Sequence, residues 1–104
     1  MVGLYLALKD NKTAGCVALR RLDDENGELK RLYVRPEFRG NGIASLLMEK
    51  IIEDAREVGY RSIFLDTLPE LESAVKLYLK LGFEFTSPYN DSPVEKTLFM
   101  KKKL

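Results

Sequence analysis

The chain has 104 residues, 45% of them hydrophobic and 32% charged, with 17 Lys and Arg against 16 Asp and Glu. That length fits one domain with an adequate but thin core, and the near-even charge gives no electrostatic reason to expect nucleic acid as the main partner. No apolar run approaches the ~20 residues of a membrane-spanning helix, no basic-then-apolar leader opens the chain, and the lone Cys16 excludes an intrachain disulfide and fits a reducing, cytoplasmic setting.

Leu4–Leu8 reads as a short strand closed by the turn-forming Asp10-Asn11-Lys12. Gly15–Leu22 is a second strand, and Asn26-Gly27 is the expected reversal after it, because that pair tolerates positive φ. Glu28–Val34 is the third strand, stopped by Arg35-Pro36. These three form an antiparallel meander. From Ile43 to Ala55 the apolar residues recur at helical spacing, with Gly59 as terminator. Ser62–Asp66 has the short apolar character of a buried parallel strand, so strand, helix and strand make a right-handed βαβ unit.

Thr67-Leu-Pro-Glu70 reads as the capped start of a second helix, with Leu71, Ala74, Val75 and Tyr78 on one face and Gly82 at its end. Phe83–Thr86 and Thr97–Met100 are the last two strands, joined by a loop holding Pro88, Asn90 and Pro93. Lys101–Lys103 reads as a solvated tail. The expected fold is α+β: a mixed sheet of about six strands, a meander followed by a parallel βαβ, and two main helices.

The chain lacks histidine. Ser-His and Cys-His nucleophile pairs are therefore absent, together with the commonest metal ligand, and no metal is expected. A general base must be a carboxylate, a Lys, a Tyr or water. Cys16 has no recognisable activating base nearby and reads as a buried strand residue.

Arg39-Gly-Asn-Gly-Ile-Ala44 lies between a strand and a long helix. A helix N-terminus offers unpaired N–H groups and a positive dipole end, so it receives phosphate well. Gly40 and Gly42 let the backbone approach an anion, Ala44 keeps the first turn small, and Arg39 adds a guanidinium. On the string alone, the same glycines fit a plain turn equally well. A P-loop would need Lys-Ser/Thr after Gly42, where Ile43 stands, and a dinucleotide site would follow the first strand of an α/β sheet.

At this point the sequence resembles the GCN5-related N-acetyltransferase (GNAT) superfamily, whose signature Gln/Arg-x-x-Gly-x-Gly/Ala reads here as Arg39-Gly40-Asn41-Gly42-Ile43-Ala44. A second block of that family, a Tyr followed four residues later by Gly-Phe, appears as Tyr78 to Gly82-Phe83. The resemblance runs from about Leu4 onward. It implies central strands that run parallel but splay, with the pantetheine arm of acetyl-CoA, the co-substrate, along backbone groups of Leu32, Tyr33 and Val34. The pyrophosphate would lie on Arg39, Gly40, Asn41, Gly42, Ile43, Ala44 and Ser45. Tyr78 matches the Tyr that protonates the departing thiolate; by its helix face alone it fits core packing as well. Glu28 matches the place where several members carry a general base; as a hairpin-end residue it would instead face solvent.

Asp23, Asp24 and Glu25 fit a polar turn, or attraction of a cationic acceptor, and Asp66 and Thr67 stand within reach of the cofactor or acceptor. The Asn common in the second block falls at Leu71, so that contact is missing. The family's usual first strand and two helices are also missing, giving one N-terminally short domain over 1–104. Uncovered apolar sheet surface then implies a homodimer, with strand exchange open. The implied activity is transfer of an acetyl group to a primary amine on a small molecule or peptide, with neither nucleic acid nor membrane as partner. The alternative is a non-catalytic acyl-CoA-binding module or partner subunit.

Overall fold

The computed structural model describes residues 3–92 and 94–104; Met1, Val2 and the loop's Pro93 lie outside the described residues. Strands β1 (Gly3–Lys9), β2 (Lys12–Arg21) and β3 (Asn26–Val34) lead through a 3-10 turn at Pro36–Phe38 into helix α1 (Ile43–Val58). Then come β4 (Ser62–Thr67), α2 (Glu72–Lys80), β5 (Glu84–Phe85) and β6 (Leu98–Lys103). The strands form one sheet in the order β1-β2-β3-β4-β6-β5, antiparallel throughout except for β3 beside β4. The α+β architecture expected from the sequence is the one observed.

Asp10 and Asn11 adopt left-handed φ values of 53° and 63° between the paired Lys9 and Lys12, a two-residue hairpin whose twist suits the strands it joins. The second reversal is not at Asn26-Gly27, which are the first residues of β3. Asp23 makes it instead, its Oδ1 accepting the amides of Glu25 and Asn26 at 2.8 Å each. The Asn26 side chain also donates to the carboxylate, at 3.0 and 3.1 Å, and this contact first, then the backbone bonds, hold the Asp23 carboxyl below its ordinary range. Gly27 is required for packing: a Cβ there would stand 2.9 Å from both Leu19 Cδ1 and Tyr60 Cδ2.

Both helices cover one face of the sheet. Leu47, Met48, Ile51 and Ala55 of α1 meet Val17, Leu19, Leu29, Ile63, Leu65 and Met100, and Tyr78 of α2 joins the same cluster. Each fully buried side chain of the Leu, Ile or Met class contributes about 1.5–3 kcal/mol relative to exposure. The opposite face carries Glu28, Lys30, Phe64, Asp66 and Phe99 by strand alternation, and the segment after β5 lies over it.

Two further expectations change. Thr67 does not cap α2. It is the last residue of β4, paired with Leu98 and 8% exposed, and α2 begins at Glu72 behind Leu71, which makes no side-chain cap bond. The buried face of α2 accordingly runs through Ala74, Leu77 and Tyr78 to Leu81, while Leu71 is exposed. Lys101–Lys103 is no tail. It is the second half of β6, paired with Ser62–Phe64, and Lys101 Nζ sits 5.4 Å from the centre of the Phe64 ring. None of the described helices is long and apolar enough to cross a membrane.

Candidate functional site

The N-terminus of α1 is open. Gly42, its N-cap, has φ 74° and Gly40 has φ 85°, and a Cβ on either would meet nothing within 4 Å, so backbone conformation rather than crowding requires glycine there. The first bond into the helix runs from the Leu46 amide to the Gly42 carbonyl at 3.1 Å, leaving the amides of Ile43, Ala44 and Ser45 without an intrahelical acceptor. No side chain caps them and no acidic residue occupies the first turn. The end therefore keeps its positive potential for an anion. Asn41 Nδ2 donates to the Phe38 carbonyl at 3.0 Å, which steadies the turn. Arg39 Nε donates to the Val34 carbonyl at 3.1 Å, and its guanidinium stands 5.9 Å from the Tyr33 ring centre.

β3 and β4 pair over only three positions, Asn26–Glu28 with Ser62–Phe64, and then part. The cause lies in β3. Cys16 pairs with Tyr33 but Ala18 pairs with Lys30, so one residue of β2 faces two of β3, a bulge. Arg31 within it has φ 59°, a conformation rare for a non-glycine residue, and its carbonyl accepts Cys16 Sγ at 3.5 Å. Cys16 is thus half-buried rather than buried. Since Arg39 donates to the Val34 carbonyl, that carbonyl faces away from β2, and strand alternation sends Leu32 the same way. The Tyr33 carbonyl points to β2, 2.7 Å from where a Gly15 Cβ would be, so its backbone does not face the open side, and its side chain is exposed.

Tyr78 is 4% exposed, its ring tilted against Phe83 at 5.8 Å. The helix end explains the placement. Gly82, with φ 94°, donates its amide to Leu79, and Phe83 donates back to the Tyr78 carbonyl, a Schellman stop whose usual apolar contact is the Tyr78–Phe83 pair. Burial pushes the Tyr78 phenol up from 10 to about 12. No described buried polar side-chain atom lacks a partner, so the hydroxyl end opens to solvent.

Glu28 does not face solvent. It is 3% exposed, with Oε1 3.2 Å from Arg20 Nε and Oε2 3.2 Å from Lys30 Nζ. Tyr89 Oη donates to Oε2 at 2.6 Å, and the Tyr89 ring stands edge-on to Phe64 and Phe99 at 5.1 and 5.6 Å. Lys30 also reaches Asp66 Oδ2 at 3.4 Å, which accepts Asn90 Nδ2 at 2.8 Å. Glu28 and Asp66 are therefore brought together, whereas Asp23, Asp24 and Glu25 form an exposed turn and Thr67 is buried in β4. Nothing local in the sequence marks Tyr89, Lys30, Arg20 or Asn90 as members of this cluster. The spacing of three between Leu29 and Leu32 was the readable sign of the bulge; a tyrosine in a polar loop gives no comparable sign.

Residues 2–83 match the profile of the Acetyltransferase (GNAT) family. An uncharacterized N-acetyltransferase of Schizosaccharomyces pombe is 40% identical over 102 residues, 95% of this chain and 63% of that protein. A crystal structure of an acetyltransferase from Streptococcus agalactiae aligns with a TM-score of 0.87 at 27% identity, over 97% of this chain and 66% of the other. A GNAT family acetyltransferase from Elizabethkingia anophelis, crystallised with acetyl-CoA bound, aligns with a TM-score of 0.83 at 26% identity, over 97% and 75%. The chain thus spans a little under two thirds of the first two of these proteins. A profile match across most of the chain agrees with a parallel strand pair that parts before an open helix N-terminus, and the chain belongs to the GNAT acetyltransferase family.

Proposed function

We propose that this chain transfers the acetyl group of acetyl-CoA to a primary amine of a small molecule or peptide. The observation that carries the proposal is the uncapped N-terminus of α1 beside the β3–β4 opening: free amides for a pyrophosphate next to unpaired backbone for a pantetheine arm. The donor set fits such an anion, since Arg39, the amides of Ile43, Ala44 and Ser45, and two glycines in left-handed geometry leave no carboxylate in the first turn. Leu32 and Val34 line the open edge of β3. Tyr78, protonated at neutral pH, donates to the leaving thiolate, and Glu28 is the terminal proton acceptor.

A non-catalytic acyl-CoA-binding module is favoured by one observation: both Glu28 oxygens are already engaged. One titration separates the readings. Acetyl-CoA at a hundred times its dissociation constant stabilises by about 2.7 kcal/mol, a rise in melting temperature on the order of 10 °C for a domain of this size. Gly42→Val, forced into left-handed φ, loses that rise. Thiol release with an amine panel then identifies an enzyme, and its absence beside a retained shift identifies a binding module. A melting temperature indifferent to acetyl-CoA would overturn both.

A cytoplasmic setting and a homodimer belong to the same proposal. β1 is a sheet edge, and its outward residues Leu4, Leu6 and Leu8 are 56%, 58% and 69% exposed, a self-complementary strip for a second copy. Sedimentation equilibrium is expected to show a dimer that Leu6→Lys dissociates; a wild-type monomer would discard it.

A further inference from the structure

We infer that Tyr89 is a further catalytic residue of this site, the group that touches the acceptor amine and passes its proton to Glu28. The inference rests on the acetyl transfer proposed above. Glu28 sits at the last paired position before β3 and β4 part, level with Phe64 at the vertex of the opening. Yet its side chain is only 4% exposed, Oε1 faces Arg20, and Oε2 is shared by Lys30 and Tyr89. An amine has no open path to either oxygen. Tyr89 is half-buried, clamped by Phe64 and Phe99, and reaches Oε2 at 2.6 Å.

A phenol carries one proton and accepts through its oxygen lone pairs. The proton of Tyr89 is directed at Glu28, and among the described residues no side chain donates to its oxygen. Tyr89, half-buried where Glu28 is buried, is then the outer group of a two-group relay whose inner group is the carboxylate. Burial, then the hydrogen bond and charge of Glu28, push the Tyr89 phenol far above its ordinary range, so it keeps its proton at rest. The surrounding charges come from every neighbouring strand: Arg20 from β2, Lys30 from β3, Asp66 from β4 and Lys101 from β6. Lys30 stands between the two carboxylates, and Asn90 on Asp66 pins the loop beside Tyr89.

The amine nitrogen forms a bond to the thioester carbonyl carbon and becomes cationic. Its N–H bond breaks toward Tyr89 Oη while the Tyr89 O–H bond breaks toward Glu28 Oε2. Nitrogen has lost one proton, Glu28 has gained one, and Tyr89 is unchanged. The C–S bond then breaks with its electron pair on sulfur, which takes the Tyr78 proton. Glu28 returns its proton to water through Tyr89, and Tyr78 regains one from water.

The test compares wild type, Tyr89→Phe, Glu28→Gln and the double variant by thiol release, with acetyl-CoA affinity measured by calorimetry. Phe preserves the ring contacts with Phe64 and Phe99. Tyr89→Phe is expected to lower kcat about 100-fold, the ordinary size of a general-base contribution, with acetyl-CoA affinity unchanged. Because the two groups act in series, the double variant falls no further than the worse single one. In the wild type, kcat measured across mixtures of light and heavy water follows a curved line, the mark of two protons in flight, and becomes linear in Tyr89→Phe. A wild type with a linear dependence overturns the relay without reference to any variant. So does a Tyr89→Phe enzyme within about threefold of wild type, or a double variant whose losses multiply. A wild type that releases no thiol overturns the relay and the acetyl transfer together, whereas an unimpaired Tyr89→Phe beside an active wild type overturns the relay alone.

Discussion

Glu28→Ala lowers the free energy of unfolding by about 3 kcal/mol, the low end of what removing one partner of a buried ion pair costs. The carboxylate is the hub of its cluster: Arg20, Lys30 and Tyr89 all converge on it while its side chain is 4% exposed. Its loss strands them unequally. The Arg20 side chain, 55% exposed, turns to water, and Lys30 keeps Asp66. Those escapes hold the loss at the low end. Tyr89 has no described alternative acceptor, so the loop after β5 loses one of its side-chain ties to the sheet, while Asn90 on Asp66 and the Thr86 amide on the Phe99 carbonyl remain. Glu28→Gln retains the shape and one acceptor and loses about 1–2 kcal/mol, in line with a charged hydrogen bond made neutral. Urea unfolding followed by circular dichroism reads both variants. A loss below about 1 kcal/mol for the alanine variant would mean that the carboxylate is hydrated like an ordinary surface ion pair.

Tyr78→Phe separates chemistry from folding in the opposite sense. The ring, not the hydroxyl, makes the contact with Phe83, so stability at neutral pH changes little. The hydroxyl is the proposed acid for the thiolate, and its removal lowers kcat by 10²-fold or more, about the usual contribution of a placed acid, with acetyl-CoA affinity retained. The same variant has a signature in alkali. Burial raises the folded-state phenol to about 12, above the 10 of an unfolded chain. Between those values the folded protein holds the proton more tightly than the unfolded one, so stability falls as pH rises from 10 to 12. The part assignable to Tyr78 is at most about 3 kcal/mol at roughly 1.4 kcal/mol per pH unit. It is fully present below pH 10, and Tyr78→Phe removes its pH dependence. Melting curves from pH 8 to 12 show wild type and variant diverging only above pH 10. A variant with wild-type kcat would return Tyr78 to the core as a packing residue.

The fold was legible where one residue has one local job. Gly82 and Phe83 after Tyr78 spell a helix stop, and the structure shows why the three recur as a block: Gly supplies the left-handed turn, and Phe closes back on Tyr. Gly42 was legible for the same reason. Asn26-Gly27 misled because a turn-forming pair was also the place where Leu19 and Tyr60 leave no room for a Cβ, and packing decided it. Thr67 and Lys101–Lys103 misled because pairing across β4 and β6 overrode a cap signal and a charge run. The polar cluster was the least legible part. Arg20, Glu28, Lys30 and Asp66 meet through sheet register, and Tyr89 and Asn90 join them from the loop after β5, across as many as 61 positions between Glu28 and Tyr89, and no local spacing announces that.

The surplus residue in β3 fixes a count in the covalent chain. Two residues face one across the β2 ladder, and Arg31 takes up the excess in a left-handed turn, so β3 and β4 diverge whether or not anything lies between them. The opening is therefore a standing property of the backbone rather than a response to a guest. Entry requires no strands to be separated and no ladder to be broken, so little of the interaction energy is diverted into rearrangement. Encounter with a molecule of matching length is then limited by diffusion and orientation rather than by a prior conformational step.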